Sequence, residues 1–367
     1  MSVFMKKVEE GMQGLNSGLS SGLERLDSVT NGIQKESIEV WGGRPKSNKT
    51  TLIDYRYILS VYEKGVRNIK WIYFSYEISI DQKIAKFVAY FMKKKYNVNC
   101  SSSYILSKGH AILTAEHKTM VDNIYSNEIR ELFGEFDDYG RQTKKGLIEF
   151  IEQRENPTGI RNYLLAYAES KGKFIVEEYK IKTAGQEVKK KKLIGYRADD
   201  ESFHTVILVD HVGKIPTERG FSKKEVIDKL SEYAVELRNF CKWTFVFVSQ
   251  FNRGLGSVER MKFSGNDLEP TIEDFKDTGN LAEDANIVFG IFNPSEYNHL
   301  AGTVYNGFDL NLLGKSFRSI KVILSRDTIS NLSLGVAVNG GNNAVKELPN
   351  PQTEKEELKK LYNQITK

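Results

Sequence analysis

The chain is expected to fold as an α/β protein, with a central, mostly parallel sheet flanked by helices and a phosphate-binding loop at one end. Three observations lead there. A short apolar run, Ile38-Glu39-Val40-Trp41, feeds a glycine-led loop, which opens a segment with helical spacing at Leu52, Tyr55, Leu59 and Tyr62. Two further runs, His204 to Val209 and Thr244 to Val248, are apolar nearly throughout, as central parallel strands buried on both faces are. Helical patterns alternate with these strands, which is how a parallel sheet is wound.

The loop carries the chemistry. Its residues Gly43, Arg44, Pro45, Lys46, Ser47, Asn48, Lys49, Thr50 and Thr51 follow a strand and open a helix. In that layout successive backbone N–H groups curl around phosphates, and the helix N-terminus adds its positive dipole end. Lys49 would reach the outer phosphates, and the Thr50 hydroxyl would hold Mg²⁺. Asn48 stands where the pattern Gly-x4-Gly-Lys-Thr has its second glycine. Asn tolerates a left-handed backbone better than other non-glycine residues, so the loop is expected to survive.

Along the chain, residues 1–13 read as a short amphipathic linker helix. A glycine-broken lead-in follows, whose one short helix packs Leu23, Leu26 and Val29. Asn68 to Phe74 is a strand ending at Ser75-Tyr76-Glu77-Ile78-Ser79. Acids just beyond strand ends face the ligand crevice of open α/β sheets, which makes Glu77 either a candidate base or a cap for the helix over 80–96. Residues 97–155 are expected to be a largely helical, polar insertion. Asn156 with Pro157 starts a helix that reaches about Ser170.

Residues 171–199 read as an inserted β-hairpin or flexible loop. They hold nine Lys/Arg against four Asp/Glu, including the run Lys189, Lys190, Lys191 and Lys192. Such a run is either a solvated face or a basic arm on nucleic acid. Asp210 ends its strand where it would hold the water shell of Mg²⁺ opposite Thr50. Ser222 caps a helix over 223–240. Gln250, at the next strand end, would sense the γ-phosphate or orient a water, or else merely tie two strand ends together. A Gly-, Asn- and Arg-rich loop at 251–270 precedes a helix from Ile272 to Asp284 that is interrupted at Gly279. Three late strands follow, 287–292, 319–324 and 332–338, and then a charged, loosely docked helix over 353–367.

Composition narrows the setting. Of 367 residues, 40% are hydrophobic and 28% charged, the pattern of a globular protein, and the net charge of +5 is a mild basic bias. No apolar run approaches membrane-spanning length, so no membrane is expected. Cys100 and Cys241 lie far apart without metal-type spacing and read as reduced thiols of a cytoplasmic protein.

The motifs, taken in order, resemble the RecA-like C-terminal motor domain of DnaB-type replicative helicases. Gly18 to Asp27 is similar to that family's Gly-x-x-Leu-Asp lead-in, and Arg44-Pro45 precede the lysine as they do there. Ser75-Tyr76-Glu77-Ile78-Ser79 looks like its Ser-Leu-Glu-Met-Ser, and Val209-Asp210-His211 resembles its second nucleotide motif. Ser249-Gln250-Phe251-Asn252-Arg253 is close to its Ser-Gln-Leu-Asn-Arg. Asp274 through Asp284-Ala285, with Gly279 between, follows its Asp-Leu-x-x-Ser-Gly-x4-Asp-Ala segment.

The resemblance implies a motor domain over 14–345 and a charged tail over 346–367. It implies ATP and Mg²⁺ as ligands, with Glu77 as the catalytic glutamate and Gln250 as the γ-phosphate sensor. It makes Arg326 a finger supplied to a neighbour across a hexameric ring, with Leu324 where the family has a second, lysine finger. Lys214 and Arg219, together with Asn252 and Arg253, would grip single-stranded DNA from loops 212–222 and 251–270. A primase or a helicase loader would be partners. About a dozen residues precede the lead-in, so a bacteriophage version acting in the bacterial cytoplasm is implied. The alternative is a DnaB-like loader, remodeller or nucleotide-binding scaffold that unwinds nothing.

Overall fold

The structure, a computed structural model, describes residues 3–14, 16–183, 186–252, 268–278, 280–297, 300, 302–326 and 328–365, with the backbone alone at 3, 181–183, 186–191 and 276–278. Nine strands make one sheet. They are β1 (Ser37–Gly43), β2 (Ile69–Ser75), β3 (Ile148–Ile151), β4 (His204–Asp210), β5 (Thr244–Gln250), β6 (Ile287–Phe292), β7 (Phe317–Ser325), β8 (Leu332–Asn339) and β9 (Ala344–Glu347). Across the sheet the order is β9-β8-β7-β6-β1-β5-β4-β2-β3. The six strands from β6 to β3 run parallel, and β7, β8 and β9 add an antiparallel edge.

The strand side chains alternate between two buried layers, as the pleat requires. Trp41, Trp71, Tyr73, Val206, Leu208, Val246 and Val248 pack on the helix after the loop and on the helix Ile80–Tyr96. Ile38, Val40, Ile72, Phe74, Ile207, Val209, Phe245 and Phe247 face the helices Pro157–Glu169 and Lys223–Cys241. Each large side chain buried this way contributes about 1.5–3 kcal/mol. The parallel strands therefore end together at one edge of a three-layer body.

Local signals explain the helix starts. Asn156 accepts from the Gly159 N–H at 2.8 Å, with Pro157 at the first helical position. Ser222 and Glu225 form a reciprocal capping box. The helix after the loop runs as Lys49–Ile53, a π segment Asp54–Leu59, and a closing turn Ser60–Glu63. Fully buried Arg56 ties it to the lead-in through Ser21 at 3.0 Å and Asp27 at 3.6 Å.

Two expectations are corrected. Residues 97–155 are not largely helical. They include the short strands Gly134–Phe136 and Gln142–Lys145 and the edge strand β3. Only four residues long, β3 is set among Lys144, Lys145 and Glu152, so its alternation is too brief to read from the sequence, and pairing with β2 decides it. The C-terminal helix, Lys355–Ile365, is docked rather than loose. Leu358 is buried in a cluster with Tyr305 and Phe308, and the Tyr362 hydroxyl accepts from the Asp309 N–H at 2.8 Å. Where one interrupted helix is expected, Ile272–Thr278 is a 3₁₀ helix and Leu281–Asp284 one α-helical turn, and Gly279 lies outside the described residues. The strands Gly172–Thr183 and Gln186–Ala198 pair antiparallel over their whole length, from Gly172–Ala198 out to Thr183–Gln186. Among the described residues no helix is long and apolar enough to cross a membrane.

His204 opens β4 and is buried, its Nε2 2.7 Å from Thr244 Oγ1. That hydroxyl donates to the Gln34 carbonyl, so it accepts from His204, which must carry its proton on Nε2. Burial, with Lys35 adding to it, pushes the imidazole pKa down to about 3. The native ring stays neutral while an unfolded His takes up a proton below about 6.5. Stability from this site is therefore complete above that pH and is lost as pH falls. Between pH 6.5 and 5 the loss approaches about 1.4 kcal/mol per pH unit. Urea denaturation of wild type and His204→Gln from pH 7 to 5 should show a steeper decline in the wild type, and parallel curves would refute it.

Candidate functional site

The phosphate-type loop leaves the end of β1 under tight steric control. A Cβ on Gly43 would lie 2.5 Å from Ser47 Oγ and 3.2 Å from Lys49 Cγ, so the backbone approaches the loop as only glycine allows. Lys46 and Asn48 both take the left-handed conformation, at φ 65° and 66°. The Leu52 N–H then bonds the Asn48 carbonyl at 3.0 Å and starts the helix. The N–H groups of the first turn before it have no partner within the helix.

The Lys49 ammonium donates to the Gly43 and Arg44 carbonyls, each at 2.9 Å. Burial pushes its pKa down, while Asp210, Glu77 and Glu296 oppose that shift. Arg44 donates to the Tyr297 hydroxyl at 2.9 Å, Pro45 and Lys46 are exposed, and Thr51 is buried beneath the loop.

Parallel register brings the other sequence-predicted residues to the same edge. Ser75 pairs with Asp210, Asp210 with Val248, and Gly43 with Gln250. The Thr50 hydroxyl donates to Asp210 Oδ2 at 2.7 Å. Glu77 has a side chain 42% exposed at the mouth, with Oε1 2.9 Å from His211 Nε2 but off the line of a hydrogen bond. His211 Nδ1 accepts from the Gly213 N–H at 3.0 Å, so the proton of the neutral ring sits on Nε2. Burial lowers the His211 pKa, against Glu77 and Asp210, and keeps the ring neutral at neutral pH. Gln250 is exposed beside the loop.

Arg326 does not join this group. Ser325 pairs with Ile287, which pairs with Glu39, whereas the loop leaves at the level of Ile291. That places Arg326 four or more strand residues, roughly 13 Å, toward the opposite edge of the sheet. Its guanidinium donates to the carbonyls of Ala285, at 3.0 Å, and Glu283. Lys214 and Arg219 are exposed beyond β4. Asn252, half-buried, donates its amide to the Glu273 carbonyl at 3.1 Å. Arg253 lies outside the described residues. Lys189, Lys190, Lys191 and Lys192 lie on the second hairpin strand, where exposed Lys192 pairs with Glu177.

Sequence reasoning missed Arg318. Buried at the start of β7, it donates through Nε to the Ser47 carbonyl at 3.3 Å and through Nη2 to Asn48 Oδ1. Its Nη1 holds the carbonyls of Lys315 and Phe317 at 2.8 and 2.6 Å. Burial pushes its pKa down to about 10, opposed by Glu296, which leaves it charged at neutral pH. On the other side a Cβ on Gly340 would lie 2.4 Å from Asn48 Nδ2. The Asn48 side chain is thus held between β7 and the β8–β9 turn, away from the loop interior. No spacing signal links positions 48 and 318, because only sheet register joins them.

These groups fit a nucleotide with its metal. Ser47 Oγ is buried in the loop without a hydrogen-bond partner. Among the described residues no three His, Cys, Asp or Glu side chains cluster as a metal cage. A hydroxyl beside one carboxylate is instead the set that Mg²⁺ shares with phosphate oxygens and water.

The same arrangement of strands recurs in solved structures. One of them, described as an ATPase domain, superposes with a TM-score of 0.65 at 12% identity, over 94% of this chain and 97% of that one. A DnaB-like replicative helicase, described with its interactions with primase, superposes at 0.64 and 12% identity, over 94% and 68%. The chain has a RecA-like fold. At this identity the likeness establishes the fold of the RecA-like core. No family model matches the sequence, and no curated protein aligns with it.

The Asn48–Arg318 contact has a measurable consequence. Asn48→Gly relieves left-handed strain of about 1 kcal/mol but forfeits the guanidinium contact. Arg318→Ala should cost less stability in the Asn48→Gly background than in wild type, with a coupling of at least about 0.5 kcal/mol in urea denaturation. Strict additivity would show that the two side chains act independently.

Proposed function

We propose that this chain binds ATP with Mg²⁺ at the Lys49 loop and hydrolyses it, as the motor of a DnaB-type helicase. The observation that carries the reading is the meeting of the Lys49 loop, the Thr50–Asp210 pair and Glu77 at one edge of a RecA-like sheet. Mg²⁺, held by Thr50 and through water by Asp210, would offset phosphate charge. Lys49 exchanges its two carbonyl partners for the outer phosphate oxygens. Glu77, held beside His211, orients the attacking water and draws its proton. Gln250 meets the γ-phosphate and couples it to the loop behind β5.

The motor is a ring. Arg326 points away from its own loop, so it serves the site of a neighbouring copy in a head-to-tail hexamer. Single-stranded DNA is held by Lys214, Arg219 and the segment that includes Asn252 and Arg253. The hairpin lysines 189–192 supplement that grip through phosphate contacts. A primase or loader completes the assembly, in the cytoplasm of a phage-infected bacterium. The absent finger lysine at Leu324 favours one other reading, a loader, remodeller or nucleotide scaffold without unwinding activity.

ATP hydrolysis measured with and without single-stranded DNA, followed by unwinding of a forked duplex, tests this. Hydrolysis should rise with DNA, and Glu77→Gln should bind ATP but lose turnover. With Lys189, Lys190, Lys191 and Lys192 changed to Ala, DNA affinity should drop and the salt dependence flatten by up to roughly 0.7 log units per lost contact. Wild-type turnover by Glu77→Gln would make that residue a helix cap. DNA-stimulated hydrolysis without unwinding would favour the loader reading, and ATP binding without hydrolysis the scaffold.

Arg326→Ala should leave ATP affinity nearly intact and depress turnover by about 10³-fold or more, as loss of a trans arginine does. Mixing it with Lys49→Ala subunits should restore mixed sites with both groups present. A monomer by light scattering with ATP and DNA, and no rescue at any ratio, would defeat the ring.

A further inference from the structure

The Thr50–Asp210 contact continues inward into a set of buried charges that the hydrolytic scheme leaves unused. Asp54 opens the π segment of the loop helix, and Lys83 lies four residues into the helix Ile80–Tyr96. Both are fully buried. Lys83 Nζ is 2.8 and 2.9 Å from the two Asp54 oxygens and 2.9 Å from the Tyr73 hydroxyl. That hydroxyl lies 3.2 Å from Asp54 Oδ1 and 3.4 Å from Asp210 Oδ2. Asn343 Nδ2 approaches Asp54 at 3.5 Å from the β8–β9 turn. Burial pushes the Asp54 carboxyl up, and the Lys83 ammonium opposes it.

Stability does not account for this pair. A buried ion pair is often no better than two apolar side chains of like volume, because desolvation offsets the attraction. Its connections are more informative. The Lys83 N–H bonds the Ser79 carbonyl at 2.9 Å, so the ammonium anchors the helical turn that follows Glu77. The Tyr73 oxygen accepts from Lys83, and its single proton must go to Asp54 or to Asp210. Asp54 already takes both Lys83 contacts. Asp210 Oδ2 takes the Thr50 proton and has a second lone pair for the tyrosine proton. A metal held on the Thr50 oxygen would leave both donors on Asp210.

We propose that Lys83 and Asp54, acting through Tyr73, are positioning residues that hold Asp210 and the Glu77 turn in register with the phosphate loop when nucleotide and Mg²⁺ are bound. The proposal rests on the Lys49 loop being a nucleotide site. It joins the two halves of that site, the loop helix and the helix after Glu77, through one buried contact.

Two variants test it: Lys83→Met combined with Asp54→Leu, which replaces the pair by apolar side chains, and Tyr73→Phe, which removes one oxygen. Each is read by urea denaturation, by titration of a fluorescent ATP analogue with and without Mg²⁺, and by steady-state hydrolysis. Both should fold with midpoints at or near wild type and bind the analogue normally without metal. Mg²⁺ should strengthen their binding about ten-fold less than it strengthens the wild type's. Their kcat should fall about ten-fold with KM within about two-fold. Wild-type Mg²⁺ dependence and kcat in a folded double variant would make the pair core filling and overturn the proposal. Should the double variant not fold, Tyr73→Phe decides alone, and an unchanged Mg²⁺ response refutes the relay. A wild type that binds with Mg²⁺ dependence but hydrolyses nothing removes the hydrolytic reading and leaves this one testable. One that binds no nucleotide removes both.

Discussion

The 2.7 Å contact between the Thr50 hydroxyl and the Asp210 carboxylate is the interaction on which the rest of this edge depends. It joins the first turn of the loop helix to the end of β4, two elements 160 residues apart in sequence. It can form only if β1, β5, β4 and β2 end level, which their unbroken parallel register ensures. A slip of one residue would turn Asp210 to the other face of the sheet. The two apolar layers prevent that slip, since it would also exchange Val206 and Leu208 with Ile207 and Val209.

The loop above this contact is unusual in keeping a side chain where a glycine is expected. A left-handed Asn costs on the order of 1 kcal/mol, small enough for its surroundings to offset. Here the surroundings are specific. Arg318 comes from the antiparallel edge and Gly340 from the next turn, and between them the amide is packed and bonded. The antiparallel strands β7 and β8 therefore do more than widen the sheet. They brace the loop, and at their far end they carry Arg326 to the opposite edge.

Charge is arranged to match. Lys49, Asp210 and Glu77 lie close enough to influence one another, with a neutral histidine beside the glutamate. Beneath them sit Asp54 and Lys83, sealed from solvent. Strongly hydrated groups are kept dry only where several partners satisfy them, and here Tyr73 and Asn343 complete the set.

By itself the sequence determined the elements with long or unmistakable patterns. The apolar runs of β4 and β5, the caps at Asn156 and Ser222, and the glycine-led loop are local features whose physics acts within a few residues. The residues at strand ends were legible for the same reason: a polar side chain that closes a buried run has to face the crevice. Tertiary structure decided what depends on register between distant segments. It made β3 a strand, although four residues among charges carry no period, and it seated the C-terminal helix on Tyr305 and Phe308. It turned Asn48 toward Arg318, spent the Asn252 amide on Glu273, and paired Lys83 with Asp54. None of these contacts has a signature in the linear chain, because an exposed and a buried Arg or Lys are written with the same letter and only the packing around them tells the two apart.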